Sequence, residues 1–143
     1  MNKQLYFDLA ARLQAEVPAL KWIDLEWGQL AEDRPSVAYP CALIDIEYPN
    51  CTDEGEGWQQ CAVRVTIRFA FAAAGQTAGV APTLVQTRAL EMWDVLDAAF
   101  SALQGWSTNE ASAFGRRSQT TERRRDNLKV ITQVWETTFE EEA

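Results

Sequence analysis

The sequence predicts a single α+β domain, residues 1–143, in which a largely antiparallel sheet of four to five strands is covered by two main helices. Three observations predict it. Two stretches carry apolar residues at helical spacing, several others alternate with a period of two, and the strands are grouped between the helices without a regular strand–helix–strand repeat. At 143 residues, 47% hydrophobic and 24% charged, the chain has the size and composition of one ordinary folding unit.

Residues 3 to 16 read as an amphipathic helix: Leu5, Leu9 and Leu13, with Tyr6 on the same side, recur at spacings of three and four, and Pro18 stops the run. In LKWIDLEWGQL, Ile23, Leu25 and Trp27 alternate with Trp22, Asp24 and Glu26 until Gly28, which predicts a short strand near a sheet edge. AEDRPSVAYP is polar and carries two prolines, so it is a connection. Residues 41 to 48 form the next strand, with Ala42, Ile44, Ile46 and Tyr48 on one side. PNCTDEGEGW, with two glycines and three acids, reads as a flexible loop near 50–58.

CAVRVTIRFAF gives the clearest strand: Cys61, Val63, Val65, Ile67, Phe69 and Phe71 alternate with Ala62, Arg64, Thr66, Arg68 and Ala70. The small, alanine-rich stretch after it predicts a second flexible loop near 72–82. From Thr83 to Leu103 a long helix is expected, with Val85, Ala89, Met92, Trp93, Leu96, Ala99, Phe100 and Leu103 on one broad stripe and Gly105 just past its end. Residues 113 to 139 are strand-like, with a turn around Arg125-Asp126-Asn127. NLKVITQVWETTF is apolar on both sides and belongs inside the sheet, while the acidic tail EEEA is expected to fray.

Composition narrows the chemistry. The chain has no histidine, which excludes a Ser-His-Asp or Cys-His nucleophile system and every His-containing zinc site. Cys41, Cys51 and Cys61 are an odd set at ten-residue spacing, unlike the close pairs of metal knuckles. They read as small hydrophobes with one loop thiol, in a reducing compartment. The N-terminal stretch lacks the apolar core of a secretory signal, and no run reaches the ~20 apolar residues of a spanning helix, so no membrane partner is expected. Asn50-Cys51-Thr52 matches a glycosylation acceptor only formally.

Asp24 with Glu26 and Asp45 with Glu47 each project from one strand face, and on adjacent strands they could converge on a divalent cation. Lining a solvated face is the favoured reading. Gly55-Glu56-Gly57 lacks the Lys and Ser/Thr of a phosphate loop. Trp58 and Trp106 fall in loop-like segments, where a large aromatic is either packed locally or open to a partner.

The arginines are the strongest asymmetry. From Arg116 to Lys129 there are six basic residues against two acidic ones, whereas the remaining 129 residues carry seven basic and nineteen acidic. Three readings stand: contact with the acidic surface of another copy of the chain, a solvated face, or a nucleic-acid patch. The first is favoured, with Arg116, Arg117, Arg123, Arg124 and Arg125 as the candidate inter-subunit or tube contacts.

KWIDLEWGQL, YPCALIDIEY, the alternating VRVTIRF strand, the long helix ending in LQGW, and FGRRSQTTERRRDNLKV before a last strand resemble, in that order, the tail terminator (tail-completion) family of long-tailed bacteriophages and prophages. The resemblance covers nearly the whole chain in element order and carries no catalytic motif. It implies a non-enzymatic virion-assembly subunit that forms a homo-oligomeric ring, commonly a hexamer, caps the tail tube and offers a docking surface to the head. Its implied partners are further copies of itself, the tail tube protein, and a head-completion or neck protein. No cofactor, metal or specific nucleic-acid ligand is implied. The implied setting is host cytoplasm during assembly and then the virion tail. A head–tail neck protein and a small nucleic-acid-associated regulatory module are the alternative readings.

Overall fold

Alternation decides which way each long strand faces, and the side that carries the large apolar residues is the side the helices cover. The computed structural model describes residues 1–72 and 83–143. The chain runs α1 (Asn2–Glu16), β1 (Trp22–Leu25), a 3₁₀ turn (Gln29–Ala31), β2 (Cys41–Gly55), β3 (Trp58–Ala72), α2 (Thr83–Leu103), β4 (Gly115–Thr121) and β5 (Leu128–Glu142). Five strands form one sheet in the order β1-β2-β3-β5-β4. Only the β1–β2 pair is parallel; the other three pairs are antiparallel. The fold is α+β, as the grouping of elements predicts.

One face of the sheet makes the main core. Ala42 and Ile44 of β2, Val63, Val65, Ile67 and Phe69 of β3, and Ile131, Trp135 and Phe139 of β5 pack with Leu5, Leu9 and Leu13 of α1 and Leu96, Ala99 and Leu103 of α2. Each of the Val, Leu, Ile and Phe side chains contributes about 1.5–3 kcal/mol by leaving water. Arg12 ties the helices together by donating from Nε to the Ala102 carbonyl (3.0 Å). Gly105 has φ 76°, the left-handed geometry that its position past α2 requires. On the other face a smaller cluster, Leu30, Cys41, Leu43, Ala70 and Val130, lies under the segment that carries Val37 and Tyr39.

Three expectations are corrected. The loop read near 50–58 is paired strand: through two register shifts, between Glu47 and Asn50 and between Asp53 and Gly55, β2 and β3 stay paired to Gly55 opposite Trp58, leaving Glu56-Gly57 as a two-residue turn. Both turn residues have positive φ (56° and 86°), as a type I′ hairpin demands. The acidic tail does not fray, because β5 pairs with β3 as far as Glu142 opposite Trp58 and the Ala143 N–H donates to the Gly57 carbonyl (2.8 Å). The third concerns the first strand, which stops at Leu25, leaving Trp27 72% exposed beyond it. The loop expected at 72–82 lies, after Ala72 of β3, outside the described residues, as do the side chains of the stripe positions Val85 and Ala89.

The hairpin matters because the strands outrun the helices. A 15-residue strand is about 50 Å long, whereas the 21-residue α2 is about 31 Å. The excess becomes an arm made by the ends of β2, β3 and β5, in which residues 49–60 are all exposed. A bulge marks its root: Glu47 pairs with Arg64 and Asn50 with Ala62, so Tyr48 and Pro49 together face Val63. Pro49 is tolerated because β1 borders β2 only along Cys41–Ile44.

Candidate functional site

Where β4 and the β4–β5 turn place the five arginines follows from strand parity. Arg116 pairs with Trp135 on the helix-covered side. Its guanidinium lies 4.2 Å over the Phe100 ring of α2 and donates to Gln119 Oε1 (3.0 Å), while its backbone N–H donates to Gln104 Oε1 (3.0 Å). Gln119 Oε1 also accepts from Gln133 Nε2 (2.8 Å), and the wholly buried Gln133 accepts from Trp135 Nε1 (3.3 Å). A bulge between Arg116 and Ser118 frees Arg117 to reach the other face, where it donates to Glu136 Oε2 (2.8 Å).

That second face carries two rows of alternating charge. In one, Arg64 binds Glu47 (3.2 Å), Arg64 stands opposite Glu136 in register, and Glu136 binds Arg117. In the other, Arg68 joins Glu26 and Glu122 (2.7 Å), Glu122 joins Arg124 (3.1 Å), and Arg124 joins Asp126 (2.6 Å). Burial opposes charge on Arg68, but hydrogen bonds to Glu122 and Glu26 outweigh it and hold the guanidinium above its ordinary pKa. Likewise burial would raise Glu122, yet the bonds from Arg68 and Arg124 hold its carboxyl below the usual range. The Arg124 side chain, only 16% exposed, also donates to the Leu30 carbonyl and is held strongly protonated, first by its bond to Asp126.

The five arginines therefore divide. Arg124 is turned inward and fastens the β4–β5 turn to the 3₁₀ segment. Arg116 and Arg117 brace β4 while remaining on the sheet edge. Arg123 and Arg125 are exposed and have no ion-pair partner among the described residues. The carboxylates do not converge either: Glu26 and Glu47 are taken by different arginines four residues apart on β3, about 13 Å along the strand. Among the described residues no group of three or more metal-ligating side chains forms. Asp24 Oδ1 accepts the Leu25 N–H (2.8 Å), and Asp45 is exposed.

Features that pattern reading missed lie at the sheet's edges and ends. The arm carries Asp53, Glu54, Glu56, Glu140, Glu141 and Glu142 without any lysine or arginine. Trp58 is exposed on the arm, whereas Trp106 packs locally against Phe114 (5.2 Å). The edge at β1 exposes Trp22, Leu25 and Trp27. The opposite edge, at β4, lies beside an exposed stripe of α2, Leu90, Trp93 and Phe100, which share one helix face and reach β4 through the Phe100–Arg116 contact. The sequence reading sets Trp93 and Phe100 with Leu96 and Leu103 on one stripe and passes over Leu90; the structure instead leaves Trp93 and Phe100 partly open beside Leu90 while Leu96 and Leu103 are buried.

Among the described residues the arrangement offers two unlike sheet edges without a strand neighbour, an acidic arm, and two arginines without an ion-pair partner at the far end of the long strands. Neither a protein-family model nor a curated protein matches the chain.

Proposed function

We propose that this chain is a structural subunit that joins copies of itself head to tail into a ring, and that the ring terminates a phage tail tube as the resemblance in element order implies. The observation that carries the self-assembly is the pair of dissimilar sheet edges, unpaired among the described residues, one exposing Trp22, Leu25 and Trp27 and the other lying beside Leu90, Trp93 and Phe100 of α2. Open edges are association templates, and two unlike patches on opposite sides suit a heterologous contact, which closes into a ring when the rotation between copies allows it. Arg116 and Arg117 then sit at the β4 junction. Arg123 and Arg125, with no carboxylate partner among the described residues, are the residues left to meet the acidic arm of another copy or the tube.

The test is the mass of the chain in solution by light scattering across salt concentrations, alone and with polymerising tube protein. The reading expects a multi-copy assembly that loosens as salt rises and that shortens the tubes it is added to. A strict monomer at high concentration and low salt, with tubes of unchanged length, contradicts it.

A further inference from the structure

The bulge at Tyr48-Pro49 changes which side of β2 faces the helices. Before it, the even-numbered Ala42, Ile44 and Ile46 pair with the core residues Phe69, Ile67 and Val65; after it, Cys51 pairs directly with Cys61. The thiol read from sequence as a loop residue is thus held opposite a core thiol on the neighbouring strand. Directly opposed residues of an antiparallel pair have Cα atoms about 4.5–5.5 Å apart whichever hydrogen-bonding position they occupy. That range falls within the roughly 4.4–6.8 Å that a disulfide spans.

From this register we infer that Cys51 and Cys61 form an accessible dithiol site that a small-molecule disulfide, such as glutathione disulfide, closes into a cross-strand bond at the root of the arm. The two thiols have different parts. Cys51 is exposed, whereas Cys61 is wholly buried at the end of the core. Burial, and then contact with Cys51, push the Cys61 thiol up to about 11, which leaves the first attack to Cys51. The Cys51 thiolate attacks one sulfur of the oxidant and expels a thiolate, forming a mixed disulfide. The Cys61 thiolate then attacks Cys51 Sγ and expels the second thiolate. One S–S bond breaks and one forms; two electrons and two protons pass from the protein to the oxidant. Cys41 takes no part, being buried in the cluster on the opposite face.

The bond would fix the β2–β3 pairing just beyond the bulge, so an oxidant would set the stiffness of the acidic arm. This chemistry is the same whatever the arm docks against. The experiment treats the reduced full chain, under native conditions, with glutathione disulfide and follows it by intact mass and peptide mapping. The expected result is a loss of two hydrogens per chain, a Cys51–Cys61 cross-link, and Cys41 still free after denaturation. Cys61→Ser should instead keep a persistent glutathione adduct on Cys51, and Cys51→Ser, changed at an exposed position, should remain unmodified. The inference is overturned by an unreactive native chain, by a lasting single adduct on Cys51 with Cys61 free, or by disulfides formed only between chains.

Discussion

Arg64 and Arg68 stand four residues apart on the same face of β3, and both bind carboxylates, yet they should differ several-fold in what they contribute. Arg64 and Glu47 are 40% and 51% exposed, a pair of the kind worth about 0.2–1 kcal/mol. Arg68 and Glu26 are 19% and 18% exposed, and Arg68 also binds Glu122, itself 35% exposed. Charge-assisted bonds of this kind contribute about 1.5–3 kcal/mol each; discounting the more exposed partner for solvent screening leaves about 3 kcal/mol for Arg68→Ala. For a chain near 150 residues that lowers Tm by about 6–12 °C, against no more than about 4 °C for Arg64→Ala. The effect also has a sign in pH. Glu122 is depressed in the folded state, so its contribution is present above the ordinary glutamate range and is lost as pH falls through the folded value. The Tm gap between native chain and Arg68→Ala should accordingly narrow on acidification. Thermal unfolding of both variants at neutral and acid pH is the assay. Equal midpoints for the two variants at neutral pH, or a gap that widens in acid, would refute the argument that the Glu26–Arg68–Glu122 row is what holds the β1 and β4–β5 ends against β3.

The arginine run should separate by role. Arg124→Ala lowers Tm, because the Leu30 carbonyl and Glu122 lose a donor, whereas Arg123→Ala and Arg125→Ala shift stability by no more than about 0.5 kcal/mol and instead weaken the salt-dependent part of self-association; equal Tm losses in all three would contradict this. At the arm tip, a Cβ on Gly57 would meet only Ala143 Cβ at an ordinary 3.7 Å, so Gly57→Val acts through its φ of 86°. It should cost more than about 1–2 kcal/mol and speed amide exchange along residues 52–60 first, while unchanged protection there would show that the turn does not set the hairpin.

Much of the fold was legible because burial leaves a period. Leu5, Leu9 and Leu13, the alternating β3 residues and the two-sided β5 each announce what covers them, and they are buried as expected. The arm left no such trace: residues 50–58 are all exposed, so no burial period marks their pairing, and an acidic glycine-bearing stretch looks like a loop. Cys51 was hidden for a related reason, since a single bulged residue shifts the parity that pattern reading extends from Ala42 to Tyr48. In the arginine run sequence shows charge but not partners. Glu122 and Asp126 are close in the chain, yet the Leu30 carbonyl that turns Arg124 inward is ninety-four residues away.

The central claim is that two unlike edges of this chain fit one another. Light scattering on complementary variants tests it most directly, with Trp27→Asp spoiling the β1 edge and Trp93→Asp spoiling the α2 stripe beside β4. The native chain should assemble, and each variant alone should be monomeric. An equimolar mixture should give a one-to-one dimer and nothing larger, because only one intact junction can form. Variants that keep the native mass, or a mixture that stays monomeric, would contradict the account.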